Sequence, residues 1–191
     1  MVAERQQFLK HQASLDTSRC FFIDESGCHP DIGPRRGWAP VGKPLVGFEE
    51  PYSRGRHVSM IAALTTEGIA TYKTVDGGVK TTHFKRFVIK QLIPLLRPGD
   101  IVCWDNINMH KNKGIVKAIT NAGATVLQLP RYSPDLNPIE AAWAKVKSLI
   151  RKAVPTSLQE LKRAMRASLR RIRIQDARGW IQYCGYTLPR F

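Results

Sequence analysis

The chain has 191 residues, enough for one domain with a substantial core, and its 43% hydrophobic and 24% charged residues are ordinary for a globular protein. Thirty Lys and Arg against fifteen Asp and Glu give a net charge of +15 and a pI near 10.1, which favours a nucleic-acid partner. No apolar run approaches the roughly 20 residues of a membrane span, and the polar N-terminus lacks a signal peptide's apolar region. We therefore expect a cytoplasmic protein with no membrane partner. Four scattered cysteines without a C-x-x-C pair argue against a disulfide framework and a structural zinc site.

The first part of the chain places one acid at a buried strand. Residues 1–19 are predicted to be a linker tail, with a helical turn or two at 3–12. Residues 20–25, CFFIDE, form a short apolar run that is typical of a buried strand. Because side chains alternate along a strand, Asp24 and Glu25 point to opposite faces, and Glu25 is excluded from a site that contains Asp24. Taken alone, an acid at a strand end is more often a solvated or turn-capping residue.

Residues 26–56 are rich in Gly and Pro and are predicted to form a long irregular loop that exposes Trp38. An exposed aromatic residue among basic residues suits contact with nucleic acid. The sequence does not favour this over the alternative, in which Trp38 packs into a small satellite core. The basic residues of this loop that we predict to contact DNA together with Trp38 are Arg35, Arg36, Lys43, Arg54 and Arg56.

The middle of the chain alternates strands and helices. Two β-rich runs joined by a short glycine-containing turn predict an antiparallel hairpin, and apolar residues at helical spacing predict two helices. The predicted elements are strands at 57–64 and 69–75, a helix at 81–96, a strand at 101–104, a helix at 113–122 and a strand at 125–129. Asp105 directly follows the strand at 101–104, so a second apolar strand ends in an acid.

Glu140 lies in the first turn of a strongly amphipathic helix that follows a proline-rich turn. Asn137 suits the N-cap, Pro138 the first helical position and Glu140 the third, which is the spacing of a capping box. In that interpretation Glu140 only binds the backbone N–H of Asn137. The helix has an apolar stripe formed by Ile139, Ala142, Trp143, Val146, Leu149 and Ile150. Glu140 lies at its margin, where a side chain can face a cleft, so both roles remain open.

The C-terminal quarter carries most of the positive charge. A helix is predicted over 157–173, with Ser157 and Glu160 as a second capping box. Residues 141–191 contain twelve basic and two acidic residues, a net +10 of the total of +15. Like charges at helical neighbour positions repel, so a phosphate backbone explains this surface better than solvation alone. The residues here that we predict to contact DNA are Lys147, Arg151, Lys162, Arg163, Arg166 and Arg170.

The three acids Asp24, Asp105 and Glu140 predict a metal site for phosphoryl chemistry. The element order can place the two strands side by side, with the Glu140 helix against the sheet edge. Converging carboxylates repel unless cations bind between them, and their oxygen ligands suit Mg²⁺ or Mn²⁺. Two such ions would activate a water and stabilise the leaving oxygen, with Asp24 bridging both ions and Asp105 and Glu140 each holding one. Asp135 is a weaker third acid, because bonding within its turn explains it.

Four motifs resemble the catalytic domain of the mariner-like bacterial insertion-sequence transposases, members of the DDE group. The motifs are FFIDESG with Asp24, GWAPVGKP at 37–44, WDNINMH with Asp105, Asn106 and His110, and LPRYSPDLNPIEAAWAKVK with Glu140. The resemblance covers residues 20 to about 152. The segment between Asp105 and Glu140, residues 106–139, has the length that the family has between its second Asp and its Glu. It implies that Asp24, Asp105 and Glu140 are the catalytic triad. The implied fold is an α/β ribonuclease H-like domain at 20–191, a mixed five-stranded sheet with helices on both faces and extra C-terminal helices.

The resemblance also implies an activity and partners. These are Mg²⁺-dependent cleavage at transposon ends, attack by the freed 3′-OH on double-stranded target DNA at TA, and a homodimer in the bacterial nucleoid. Family members carry an N-terminal helix-turn-helix region, whereas 23 residues precede Asp24. A catalytic fragment, a transposase split from a separate end-recognition polypeptide, and a remnant all remain open. Asn106 and His110 could assist in positioning water or phosphate, although a strand-end Asn and a loop His are more often structural.

Two alternative functions use the same residues. A ribonuclease H-like nuclease that hydrolyses nucleic acid without strand transfer would need the same triad. A non-catalytic DNA-binding remnant would bind through the Arg-rich C-terminal helices. The intact triad argues against a remnant, since such a protein has no need of three acids in position.

Overall fold

A mixed five-stranded sheet forms the centre of the molecule. The computed structural model describes residues 2–33, 37–44, 56–105 and 113–189, with side chains from residue 4 on. The strands are β1 (Cys20–Cys28), β2 (Val58–Thr65), β3 (Gly68–Asp76), β4 (Ile101–Trp104) and β5 (Thr125–Gln128). Their order across the sheet is β3-β2-β1-β4-β5. β2 is antiparallel to both β1 and β3, whereas β4 and β5 run parallel to β1.

Six α-helices accompany the strands in the described part of the chain. They are α1 (Val2–Gln12), α2 (Thr81–Phe87), α3 (Lys113–Asn121), α4 (Ile139–Ala153), α5 (Leu158–Leu169) and α6 (Ile174–Tyr183). The helix predicted over 81–96 is present but irregular, because α2 continues as a π-helical segment and then a 3₁₀ turn. Pro94 lies in that 3₁₀ turn and lacks the N–H that an α-helical bond requires. No helix among the described residues combines the length and apolarity that a bilayer crossing requires.

Two core layers cover the two faces of the sheet. Successive residues of β1 alternate between them: Phe22 packs in one layer and Ile23 in the other, and both are fully buried. The Phe22 layer contains the buried residues of α4, α5 and α6, and the Ile23 layer contains those of α2 and α3. Helices therefore lie on both faces, as predicted. Asp24, two residues after Phe22, faces the layer that contains α4.

The N-terminal segment packs on this unit. Phe8 and Leu15 are buried in the Phe22 layer. The Gln12 amide donates from Nε2 to the carbonyl oxygen of Cys184 at 2.7 Å, and the Thr17 hydroxyl donates to the carbonyl oxygen of Thr187 at 2.7 Å. The polar composition of residues 1–19 suggested a linker tail, but two apolar side chains are enough to dock it. The domain boundary at residue 19 stays a prediction.

Several element boundaries differ from the predicted ones. β1 extends to Cys28, because Ser26, Gly27 and Cys28 pair with β2, so the loop begins later than residue 26. α5 ends at Leu169 instead of residue 173, and α6 follows it as a separate helix. Its start is marked by Asp176, whose carboxylate accepts a hydrogen bond from the Arg173 backbone N–H at 2.8 Å. An acid three residues after the N-cap, here Arg173, is typical of a helix start.

Candidate active site

Asp24 lies on β1, and Asp105 directly follows the parallel neighbouring strand β4. In the register of β1 and β4, Phe22 is next to Cys103 and Ile23 is next to Trp104. One residue further along, this register places Asp24 beside Asp105. Phe22 and Cys103 share one core layer, so alternation directs both aspartates to that same face. Neighbouring strands lie about 4.8 Å apart, so the backbone positions of the two aspartates are adjacent.

Helix α4 brings Glu140 to this pair. α4 packs against β1, and the indole Nε1 of its Trp143 donates a hydrogen bond to Oδ2 of Asp24 at 2.9 Å. Glu140 precedes Trp143 by three residues and so lies on the same side of the helix. The expected position of α4 at the sheet edge is wrong, because β1 is the central strand and α4 crosses its face. Its apolar stripe is buried at Ile139, Ala142, Trp143, Val146 and Ile150, and Leu149 is half-buried.

The electrostatics connect the three acids. Burial raises the pKa of Asp24 to about 7, and the charge of Glu140 contributes to the rise, whereas the hydrogen bond from Trp143 opposes it. Partial burial raises the pKa of Glu140, the positive charge of Lys147 opposes that rise, and the charge of Asp105 adds to it. Glu140 therefore interacts with both aspartates. The charge of Glu140 acts on Asp24 and that of Asp105 acts on Glu140, and the catalytic role of the three acids stays a prediction.

The proline-rich turn delivers Glu140, although not through the predicted capping box. Asn137 is extended and Pro138 already has helical dihedral angles, so the chain enters the helix where expected. No side chain caps α4, however, and the Asn137 backbone N–H donates to the carbonyl oxygen of Pro134 at 3.0 Å. Asn137 is buried, and its Oδ1 has no hydrogen-bond partner within the described residues. The capping box is therefore wrong, and helix capping does not account for Glu140.

Asp135, the weaker third acid, has a different partner. Its Oδ1 accepts a hydrogen bond from Nη1 of Arg5 at 3.0 Å, and its Oδ2 accepts one from Nη2 of the same side chain. The hydrogen bond from the Arg5 guanidinium holds the pKa of Asp135 below its usual range. Asp135 thus joins the turn to α1. This contact, which spans 130 residues, replaces bonding within the turn as the reason for an acid at this position.

Part of the predicted DNA surface can be located. Trp38 is 100% exposed, so its packing into a satellite core is wrong. Lys43 and Arg56 are also exposed. The predicted contacts that lie outside the described residues are Arg35, Arg36 and Arg54, together with the assisting residues Asn106 and His110.

The basic residues of α4 and α5 fall into two groups. Burial raises the pKa of the Cys28 thiol at the end of β1, and the charges of Lys147 and Arg151 oppose that rise, so both residues lie near Cys28. Lys147 also lies near Glu140, because its charge opposes the rise in the pKa of that acid. On α5, Lys162 forms an ion pair with Asp76 at 2.6 Å, which partly neutralises its charge. The exposed members of the predicted surface here are Arg163 and Arg166 on α5 and Arg170 directly after it.

Two further residues contact the elements of the site, and no role was predicted for one of them, Tyr186. Trp143 was placed in an apolar stripe only, although a buried indole N–H needs a partner and Trp143 is one helical turn from Glu140. Tyr186 donates its hydroxyl to the carbonyl oxygen of Leu136 at 2.8 Å, and its ring packs edge-on against Phe22 with centroids 5.1 Å apart. No local pattern indicates such a contact, because Leu136 and Tyr186 are 50 residues apart.

Comparisons with known proteins identify a family and a fold for this chain. A family model described as "DDE superfamily endonuclease" matches residues 19–162. The Mos1 strand transfer complex superposes with a TM-score of 0.72 at 16% identity, covering 95% of this chain and 56% of that chain. The mariner Mos1 paired end complex with Mg gives 0.70 at 16% identity, covering 95% and 58%. The Mos1 transposase catalytic domain with Raltegravir and Mg gives 0.64 at 14% identity, covering 95% and 88%.

The matches cover different shares of the Mos1 structures. The chain spans just over half of the protein in the Mos1 complexes but most of the isolated Mos1 catalytic domain. Among curated proteins, no sequence matches the chain significantly. At such low identity the structural likeness shows the fold, and it confirms the predicted ribonuclease H-like α/β architecture.

Proposed function

Because the chain belongs to the DDE superfamily of endonucleases, we propose that it is the catalytic domain of a mariner-like DNA transposase. In this proposal it cleaves double-stranded DNA at transposon ends and joins the freed 3′-OH to target DNA at TA. The observation that carries the proposal is the electrostatic contact of Glu140 with both Asp24 and Asp105. Support also comes from the structures that the fold resembles, which include a strand transfer complex and paired end complexes with Mg and with Mn.

The donor set fits divalent cations. Carboxylate oxygens are the ligands that Mg²⁺ and Mn²⁺ prefer, and a cation between Asp24, Asp105 and Glu140 would remove their mutual repulsion. Within the described ranges, no three His, Cys, Asp or Glu side chains form a ligand set for one ion by themselves. We infer that Asp24, Asp105 and Glu140 would together hold two ions, with water and phosphate oxygens as further ligands. Bound there, the ions would activate the attacking oxygen and stabilise the leaving oxygen.

The protein's own residues prepare this chemistry. Trp143 orients the Asp24 carboxyl group through the bond to Oδ2. With a pKa of about 7, Asp24 is partly protonated near neutral pH in the metal-free protein, so cation binding displaces a proton from it. Lys147, next to Glu140, supplies a positive charge for the phosphate that is being cut.

Two surfaces are suited to hold the DNA. The exposed arginines of α5 offer charges for the phosphate backbone, and the exposed ring of Trp38 can stack on a base or pack against a sugar. We further propose that the protein forms a homodimer that holds the two transposon ends. A separate polypeptide or an additional segment would recognise the terminal repeats.

A strand-transfer assay tests the proposal. A labelled duplex that ends in the inverted repeat flanking the gene is incubated with the protein, Mg²⁺ and a TA-containing plasmid. Asp105→Ala is expected to abolish nicking and joining while DNA retention in a gel-shift assay stays nearly unchanged. Hydrolysis without a joined product would instead support the nuclease without strand transfer. Undiminished nicking by Asp105→Ala would refute the assignment of the site.

A further inference from the structure

The turn that precedes α4 is held from two directions. The 3₁₀ turn Pro134–Leu136 contains both contact points. On one side, Asp135 accepts two hydrogen bonds from the Arg5 guanidinium of α1. On the other side, the carbonyl oxygen of Leu136 accepts the Tyr186 hydroxyl at 2.8 Å. Consecutive residues of one turn are thus fastened to the two ends of the chain.

Tyr186 also contacts the strand that carries Asp24. Its ring packs edge-on against Phe22 at a centroid distance of 5.1 Å, and Phe22 precedes Asp24 by two residues on the same face of β1. Tyr186 is 3% exposed, so water does not compete for its hydroxyl. One buried side chain therefore joins the strand that holds Asp24 to the turn that leads to Glu140.

The two ends of the chain are fastened to each other as well. Gln12 and Thr17 donate hydrogen bonds to backbone carbonyls of the C-terminal segment, and Phe8 is buried in the same core layer. An exposed ion pair stabilises a fold only weakly, so we expect the fold to tolerate the loss of the Arg5–Asp135 contact. Because α1 packs on the core, the contact of its Arg5 with Asp135 restricts where the turn can lie.

A short path leads from this turn to Glu140. The Asn137 backbone N–H donates to the carbonyl oxygen of Pro134 at 3.0 Å, and the Glu140 backbone N–H donates to the carbonyl oxygen of Asn137 at 3.1 Å. A displacement of the turn therefore moves the first turn of α4. Because no side chain caps α4, the hydrogen-bonded turn sets where the helix begins.

We propose that Tyr186 and the Arg5–Asp135 pair are positioning residues that set the placement of Glu140 relative to Asp24 and Asp105, and thereby the affinity of the site for divalent cations. This inference rests on the proposed function only for the identity of the metal ligands. Neither contact reaches the reacting atoms, so each acts through the turn and α4.

Two variants and two matched controls test it. Tyr186→Phe removes the hydrogen bond to Leu136 and keeps the ring on Phe22, and Asp135→Asn removes the ion pair. Glu67→Gln is the control for Asp135→Asn, since Glu67 is an exposed carboxylate paired with Arg178 at 2.8 Å on the β2–β3 turn. Ile119→Val is the control for loss of stability, since Ile119 is buried in the opposite core layer.

Calorimetric Mn²⁺ binding, the Mg²⁺ concentration for half-maximal nicking, and the melting temperature are measured for each protein. We expect Tyr186→Phe to weaken Mn²⁺ binding about tenfold, the lower end of the effect of residues that orient metal ligands, and Asp135→Asn to weaken it by about threefold. The Mg²⁺ requirement should rise in parallel. Asp135→Asn should melt like the wild type, and Ile119→Val should melt at a lower temperature with unchanged Mn²⁺ binding.

The outcomes separate this inference from the proposed function. Wild-type Mn²⁺ affinity in both Tyr186→Phe and Asp135→Asn overturns the positioning role, and so does an equal loss in Ile119→Val. If Tyr186→Phe does not fold, Asp135→Asn against Glu67→Gln decides by itself. A wild-type protein that binds Mn²⁺ but never nicks DNA would sink the proposed function, and the Mn²⁺ affinities would still decide the role of the two contacts.

Discussion

Asp24→Asn removes a charge that the metal-free fold disfavours. Burial and the charge of Glu140 raise the pKa of Asp24 from 3.8 to about 7. Between those two pH values the folded chain keeps a proton that the unfolded chain has lost. The raised pKa of Asp24 means that the fold is most stable with this carboxyl group protonated. That contribution to the free energy of unfolding is fully present below about pH 4 and is lost as the pH rises through about 7.

The size of the effect follows from the shift. A shift of about three pKa units at about 1.4 kcal/mol each changes the free energy of unfolding by about 4 kcal/mol. Asp24 is partly exposed, and screening by solvent lowers this value to about 2 kcal/mol at the least. Asparagine has the same shape, and its amide oxygen can still accept the Trp143 hydrogen bond. At pH 8 in a chelator, Asp24→Asn should therefore raise the free energy of unfolding by about 2–4 kcal/mol, and at pH 4 the difference should vanish.

Urea unfolding followed by far-UV circular dichroism at pH 4, 6 and 8 measures this difference. Adding Mg²⁺ should stabilise the wild type, by about 2.7 kcal/mol at a hundred times its dissociation constant, and should stabilise Asp24→Asn much less. Asp135→Asn is a control, because Arg5 lowers the pKa of Asp135 and this exposed variant should gain no stability at pH 8. A stabilisation by Asp24→Asn that is independent of pH would refute the reasoning.

Three further predictions follow from the same contacts. Trp143→Phe removes a hydrogen bond that lowers the pKa of Asp24, so the acid limb of the pH profile of Mg²⁺-dependent nicking should move to higher pH; an unchanged limb would contradict this role. Arg166→Gln should reduce the slope of log affinity for DNA against log salt by about 1, whereas Arg178→Gln, paired with Glu67, should change it little. Trp38→Ala should weaken binding to single-stranded DNA by about 1–3 kcal/mol and leave the melting temperature unchanged, because the ring is fully exposed; wild-type affinity would exclude stacking.

Most of the fold could be predicted because it depends on local patterns. Alternation in residues 20–25 places Phe22 and Asp24 on one face of β1, and the structure has them there. The period of apolar residues located α3 to within one residue, and the turn residues located the start of α4 to within one residue. Such patterns arise because one face of each element is buried, so the spacing of apolar residues along the chain indicates the type of element. α6 was missed because its polar first turn follows directly on the basic end of α5.

The candidate site was only partly predictable. Acids that directly follow or end apolar strands are visible in the sequence, and the parallel register then makes Asp24 and Asp105 neighbours. The sequence could not show that α4 crosses the central strand instead of the edge, because its apolar stripe fits either position. The same limit applies to the capping box, since the residue order suits a cap whether or not the side chains form one.

The amino-acid order by itself determined the type of each main element, the three acids and the positive charge of the C-terminal quarter, because these depend on residues close together in the chain. Only the tertiary structure decided which groups meet. Trp143 reaches Asp24, Arg5 reaches Asp135 and Tyr186 reaches Leu136 across 119, 130 and 50 residues. Such pairs form where packed layers bring distant side chains together, and no periodicity within a single element encodes the partner.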